Sequence, residues 1–402
     1  MTGIGITHIG LCTPLGNSAE SVLTRLLQGD TSAMQWRDDL LFDKSTLVGV
    51  VNNNDLLSIP EHLQEFACRN NRLLHTAAMQ IKDQVQSAKQ RYGAQRIGVI
   101  LGSSTSGISK GETALRYRAE HGCFPPDYHY SQQELGSTSF YLQKLFELEG
   151  PCYTISTACS SSAKVFAAAK RLLQANLCDM VIVGGADSLC QLTLNGFSAL
   201  ESVSAGQCNP FSVNRDGINI GEGAVLFTLE KTPAQVLLVG VGESADAHHV
   251  SAPHPQGSGA ITAMQQALAD ANISINDIDY INLHGTATPK NDAMESRAVA
   301  TLFKDTIPPC SSTKPLVGHL LGAAGAIEAA FCYLILSELN IHQALPPQLW
   351  DGQVDPNDPS LPLVTQGQTA KRLDYVMSNS FAFGGSNASV IFARQTLQGQ
   401  SS

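Results

Sequence analysis

The sequence predicts an α/β protein on a coarsely duplicated plan, and three observations carry that reading. Short β-rich apolar runs alternate with longer helical runs along the whole chain. Two helical runs, one in each half, open at a polar or glycine-bearing turn and are apolar on nearly every side, as helices buried inside protein are. Of 402 residues, 43% are apolar and only 15% charged, against roughly 25% charged in an average soluble chain. A large share of the surface must therefore be hidden in a layered core or a subunit interface, and an oligomer is expected.

The elements follow in chain order. Ile97 to Leu101 reads as a buried strand. TISTACSSS at Thr154 to Ser162, followed by AKVFAAAKRLLQA, reads as a strand, a tight turn and a buried helix over Cys159 to Leu173. Met180 to Val183 and Val236 to Val239 are further strands. Lys231 to Gln235, with Pro233, is a seam within one fold, dividing it into halves 1–231 and 236–402. Tyr280 to Leu283 is a strand leading into HGTATPKND. Gly318 to Leu336 is the most apolar long stretch, but Glu328 and three glycines exclude a membrane span. It reads as the second buried helix, opened by His319. YVMSN and SVIFA are strands around SFAFGGSNAS at Ser380 to Ser389, which alone is a tight hairpin. The polar tail Gln395 to Ser402 is expected to fray.

Charge and cysteine usage limit the partners and the address. The 25 Lys plus Arg against 35 Asp plus Glu leave a net charge of -10, which argues against general affinity for nucleic acid or anionic membrane. Ten irregularly spaced cysteines, with no CxxC pair and no signal sequence at Met1, read as free thiols in a reducing cytoplasm. Three weak motifs fall away. GVGESA at Gly240 to Ala245 matches a dinucleotide fingerprint, but Pro253 and Pro255 interrupt the required helix. His248, His249 and His254 lack the spacing of a metal site. GSSTSGIS at Gly102 lacks the Lys of a phosphate loop.

The chemistry-bearing residues lie elsewhere. A cysteine at the turn before a helix points its sulfur at unpaired N–H groups, which favours the thiolate. Cys159 is thus either a nucleophile or one more small buried hydrophobe, and the local pattern leaves both open. His284 ends a strand and His319 opens the second buried helix; two such histidines beside a possible nucleophile point to chemistry. Lys314 and Glu328, in apolar surroundings, are expected to pair. The glycines of the Ser380 to Ser389 loop allow backbone N–H groups to approach a ligand closely.

Taken together, TACSSS at Thr157 to Ser162, HGTATPKNDAMES at His284 to Ser296, STKPLVGHLLGAAGA at Ser312 to Ala326 and NSFAFGGSNAS at Asn379 to Ser389 closely resemble the β-ketoacyl-acyl carrier protein synthases. The resemblance covers essentially the whole chain in the right order. It implies the thiolase fold, two similar βαβ-rich halves in a five-layered αβαβα sandwich, and a dimer. Cys159 would accept the acyl group, with His284 and His319 completing a Cys-His-His set where related thiolases carry a second Cys. Lys314 and Glu328 match a supporting pair, and Asp292 and Glu295 match acidic residues with structural roles. Phe381, Ala382 and Phe383 lie in the gating loop, and the N–H groups of Phe383 and Cys159 would form the oxyanion hole. The implied partner is an acyl carrier protein, acyl- or malonyl-loaded, landing on Arg69 and Arg72 or on Arg116 and Arg118. No metal and no redox cofactor is implied.

Two departures bear on the pathway. Ala382 replaces the middle glycine of the usual FGFGG loop, narrowing its backbone freedom. The run SSS after Cys159, with NPFSVNRDGINIGEG, resembles the stand-alone synthases of bacterial aryl polyene clusters, which implies a conjugated arylated chain in place of a fatty-acid chain, and either a homodimer or a heterodimer with a Cys-less chain-length factor; fatty-acid synthesis stays open as the other pathway. The alternatives are a non-catalytic chain-length factor, against which the retained Cys159 and histidines speak, and a thiolase acting on CoA substrates.

Overall fold

Each half of the chain builds the same five-stranded arrangement. The computed structural model describes residues 3–395, so the tail expected to fray lies outside the described residues beyond Gln395. In the first half the elements are β1 (Ile4–Cys12), α1 (Ala19–Gln28), β2 (Met34–Arg37), β3 (Thr46–Gly49), α2 (Arg69–Gln80), α3 (Lys82–Tyr92), β4 (Ile97–Gly102), α4 (Ile108–His121), α5 (Ser137–Phe146), β5 (Cys152–Ile155), α6 (Ser161–Gln174), β6 (Met180–Asp187), α7 (Gln191–Ala199) and β7 (Gly223–Glu230). The second half has β8 (Val236–Ala245), α8 (Ser258–Ala271), β9 (Tyr280–Asn282), α9 (Pro289–Phe303), β10 (Cys310–Ser311), α10 (Lys314–Val317), α11 (Ala324–Leu336), β11 (Tyr375–Phe381) and β12 (Ser386–Arg394).

The sheet order, β10-β9-β11-β12-β8-β1-β7-β6-β4-β5, reads the same way inward from either end. In the first half β4 lies parallel to β5 and β6, while β7 is antiparallel to β6 and β1. In the second, β9 lies parallel to β10 and β11, while β12 is antiparallel to β11 and β8. Between the halves, β1 and β8 pair at Ile4–Leu238, Gly5–Leu237 and Ile6–Val236.

Burial sorts the helices into layers. Residues such as Leu73 and Tyr141 of α2 and α5 pack on Val99 and Ile182 of one half-sheet, and Met264 and Val299 of α8 and α9 pack on Ile281 and Met377 of the other. Between the half-sheets, Phe166 of α6 and Phe331 and Ile335 of α11 share one continuous core. The result is the expected αβαβα sandwich. Covered on both faces, β4 and β6 are buried at every position, which explains their unbroken apolar sequence.

Two details differ from the sequence reading. GVGESA lies inside β8, and its glycines give the α8 backbone room: a Cβ at Gly242 would meet Ala263 O. The helix expected from His319 begins only at Ala324. A positive φ at Gly318 (77°) and Leu321 (48°) breaks the chain there, and His319 instead forms a β-bridge with Ile220.

Candidate active site

Cys159 sits where β5 turns into α6. Ala158 before it has φ 51°, a strained left-handed conformation for a residue with a Cβ. The serines that follow hold the turn. Ser160 Oγ donates to Thr157 O (3.0 Å), while Ser161 Oγ accepts from Thr157 N (2.9 Å) and donates to Ala158 O (2.5 Å). Ser162 Oγ accepts from Ala326 N (2.8 Å), tying the turn to α11 in the other half. The SSS run, read in the sequence only as a pathway marker, is thus the brace of this turn.

Both histidines come to Cys159 from the second half. A ring nitrogen of each and the Cys159 sulfur all lie within 4.8 Å of one another. The two rings stand nearly perpendicular, with centroids 5.4 Å apart. Their tautomers follow from their neighbours. The Lys314 ammonium can only donate, so His284 Nδ1, 3.4 Å from Nζ, is an acceptor. His319 Nδ1 accepts from Leu321 N (3.1 Å). In a neutral imidazole the remaining proton then belongs on Nε2 in both rings, and His319 Nε2 is buried without a partner among the described residues. The set therefore presents two N–H donors beside a sulfur. A metal would need lone pairs there, and the lone pairs are already taken at Nδ1.

Buried ionisable side chains hold these groups. Lys314 contacts both Glu328 and the carbonyl of His284, and both its side chain and that of Glu328 are 2% exposed. Glu295 accepts from the backbone N–H of His284 and of Gly285, each at 2.8 Å. Asp292 accepts from Phe211 N (2.8 Å) and Ala287 N (3.2 Å), fixing the loop after His284. Burial raises Asp292 to about 6 and Glu295 to about 8, against the backbone donors that favour their anions.

Electrostatics correct one expectation. The helix N-terminus was expected to favour the Cys159 thiolate, yet burial pushes the thiol up to about 11, against the Lys314 charge and the N–H groups of Phe383 and Cys159 that face the sulfur. Desolvation of the anion wins because the sulfur is fully enclosed. Both histidines are held well below their ordinary value, first by burial and then by Lys314, and so stay neutral. The thiolate fraction of a group far below its pKa grows about tenfold per pH unit. Alkylation of Cys159 by iodoacetamide, followed on its peptide by mass spectrometry, is therefore expected to accelerate about tenfold per unit from pH 7 to 9. A plateau near pH 8 would contradict the assignment.

A small cavity of about 20 Å³ lies against Cys159, His284 and His319, closed by Phe381 and Phe383. The same two phenylalanines, with Ser202, Thr288 and Asn291, border an outer opening of about 250 Å³ that reaches Lys290. Phe383 is held by Phe197 of α7 (centroids 5.7 Å) and Phe381 by His284 (6.2 Å). The loop is also the tight hairpin expected between β11 and β12. Ala382 is extended (φ -99°, ψ 154°), a conformation open to any residue, so the missing glycine costs nothing in this arrangement.

The model of the β-ketoacyl synthase N-terminal domain matches residues 1–234, and that of the C-terminal domain matches residues 236–349. The chain belongs to the β-ketoacyl synthase family. Among curated relatives, 3-oxoacyl-[acyl-carrier-protein] synthase 2 of Staphylococcus aureus (strain COL) is 32% identical over 97% of each chain, and that of Rhizobium meliloti (strain 1021) is 31% identical over 98% of this chain and 100% of its own. Among solved structures, the ketosynthase ApeO in complex with its chain length factor ApeC, from Xenorhabdus doucetiae, is 45% identical over 98% of both chains with a TM-score of 0.92. A β-ketoacyl synthase from Burkholderia phymatum is 28% identical over 98% of this chain and 100% of its own, with a TM-score of 0.87.

The synthase distributes the four arginines unevenly. Arg69 is a correction: its guanidinium binds buried Glu222, Asn53 and the Val51 carbonyl, so its charge is neutralised within the fold. Arg72 donates to the carbonyls of Leu56 and Leu57. Arg116 and Arg118 are exposed on α4, one bonded to Gln191 and the other over the Phe124 ring. The sequence reading missed Phe197, Ser202 and Asn291, which line the chamber, and Lys290 at its mouth. It also missed Asp187, whose signal is an acid closing the apolar strand MVIVGGAD.

Proposed function

We propose that this synthase condenses malonyl and acyl chains on an acyl carrier protein, with Cys159 as nucleophile and His284 and His319 as paired donors. The observation that carries this reading is the pair of Nδ1-capped imidazoles beside one buried thiol. In the first half-reaction Cys159 sulfur attacks the acyl thioester, the oxyanion accepts from the N–H groups of Cys159 and Phe383, and the carrier thiol leaves with the proton the cysteine gives up. No net proton is consumed. In the second, the malonyl thioester carbonyl accepts from both Nε2–H groups. Its carboxylate leaves as CO2, and the enolate carbon attacks the acyl-cysteine carbonyl. The S–C bond breaks, a 3-oxoacyl carrier two carbons longer departs, and the cysteine thiolate takes up a proton.

The pathway is the finer proposal: an aryl polyene chain, elongated beside a chain-length factor. It rests on the sequence resemblance and on the likeness to a ketosynthase solved with such a factor. Strand β5 at the sheet edge, with its own exposed Tyr153 and exposed Phe140 of α5, supports a partner chain on that side. For carrier docking we keep Arg72, Arg116 and Arg118 and add Lys290. No helix among the described residues is long and apolar enough to cross a membrane; with ten free cysteines, a cytoplasmic address is proposed.

Intact and peptide mass spectra after incubation with saturated and aryl-polyenoyl carrier proteins, then a malonyl carrier chase, test the proposal. Aryl or polyenoyl chains are expected to load and elongate. Loading of saturated chains alone would place the enzyme in ordinary fatty-acid synthesis, and acylation of another cysteine would sink the site.

A further inference from the structure

We propose that Asp187 is a positioning residue that sets Cys159 and His319 relative to one another, by gripping the turns that hold each of them. The inference rests on the roles given to those two residues above. Asp187 ends β6, is fully buried, and among the described residues meets five donor groups and no cation. Oδ1 accepts from Ser103 Oγ (2.7 Å), Ser104 N (2.9 Å), Thr105 N (2.8 Å) and Thr105 Oγ1 (2.8 Å). Oδ2 accepts from Ala323 N (3.0 Å) and, more distantly, from Ser104 N (3.2 Å).

The division of these bonds is what matters. One oxygen holds the turn after β4 in the first half, and the other reaches the turn after His319 in the second. Each turn is one further contact from a reacting group. Ser104 Oγ donates to the carbonyl of Ala158 (3.3 Å), the strained residue before Cys159. Leu321 N, two residues before Ala323, donates to His319 Nδ1 and so fixes its tautomer. The two turns also touch directly, since a Cβ on Gly322 would overlap Ser103 and Ser104. A buried carboxylate is costly unless every lone pair is matched, and a neutral side chain would serve packing alone. What an anion adds is simultaneous capture of N–H and O–H donors from both halves.

Asp187 does not line the chamber, so its loss should spare substrate binding and slow chemistry. The test compares wild type with Asp187→Asn and Ser104→Ala in single-turnover acylation, malonyl decarboxylation, substrate-free alkylation of Cys159 by iodoacetamide, and thermal midpoint. Asp187→Asn turns an amide NH2 toward the donors. It is expected to slow acylation and decarboxylation about tenfold or more, with KM for malonyl carrier protein unchanged, as displacements of about 1 Å do. Ser104→Ala severs only the branch to Ala158. It should slow alkylation and acylation about fivefold and leave decarboxylation intact. A folded Asp187→Asn with wild-type rates overturns the proposal. If that variant does not fold, Ser104→Ala decides, and wild-type alkylation and acylation overturn it equally. Failure of the wild type to acylate or decarboxylate would instead sink the proposed reaction, while alkylation, needing no substrate, still judges the positioning.

Discussion

Cys159→Ala is expected to abolish acyl-enzyme formation and condensation while leaving CO2 release from malonyl carrier protein measurable. The two steps draw on different groups. Acyl transfer needs the sulfur and the N–H pair of Cys159 and Phe383 that faces it. Decarboxylation needs donors for the enolate oxygen, and those are imidazole N–H groups held by Leu321 N and by Lys314, neither of which touches the cysteine side chain for support. Alanine also fits the turn, because the braces run through Ser160, Ser161 and Ser162. Rates of CO2 release and of acyl adduct formation, measured on the same preparation, separate the half-reactions. Loss of both together, in a protein with unchanged thermal midpoint, would mean that Cys159 takes part in decarboxylation as well.

Lys314→Met should be the second most damaging change. The ammonium contacts Glu328, the His284 carbonyl and His284 Nδ1 at once. Its removal leaves Glu328 buried without a cation, a loss of about 3–5 kcal/mol in comparable sites. It also frees His284 Nδ1, so the ring can take up the other tautomer and withdraw its donor from the enolate. Because Lys314 is a cause of the depressed values of both histidines, their pKa moves up in the variant, not down. Decarboxylation is expected to fall by about 10²–10³, the usual cost of one lost oxyanion donor. The double variant Lys314→Met with Glu328→Met should regain most of the thermal midpoint, since buried pairs are often replaceable by apolar residues, but not the activity. Recovery of activity along with stability would show the pair to be structural only.

The motifs made the fold class and the reacting trio legible because each lies at the end of a strand, where a short pattern of β-rich run, polar turn and apolar helix is local. His319 was harder to place. Its exact setting depends on positive φ at Gly318 and Leu321 and on a bridge to Ile220 nearly a hundred positions away, which no local periodicity contains. The fate of Arg69 is likewise non-local, since its partner Glu222 arrives from the far end of the same half. The thiol's protonation was misjudged for a related reason: a helix terminus can be read from sequence, whereas enclosure by Phe381 and Phe383 comes from a loop more than two hundred residues downstream. Asp187 was overlooked because one acid after an apolar strand says nothing of the five donors that reach it.

Helices α6 and α11 touch at their first turns, where a Cβ on Gly325 would press on Ala163, and each of those turns follows one partner of the reaction in the chain. The distance between sulfur and imidazole is thus a gauge block cut by a buried layer of the molecule, not a span bridged by surface loops. Such a standard is stiff against solvent and temperature but inherits every error in its own packing. Truncation of Phe166, which meets Phe227 and Phe392 deep in that layer, should therefore lower turnover together with the thermal midpoint.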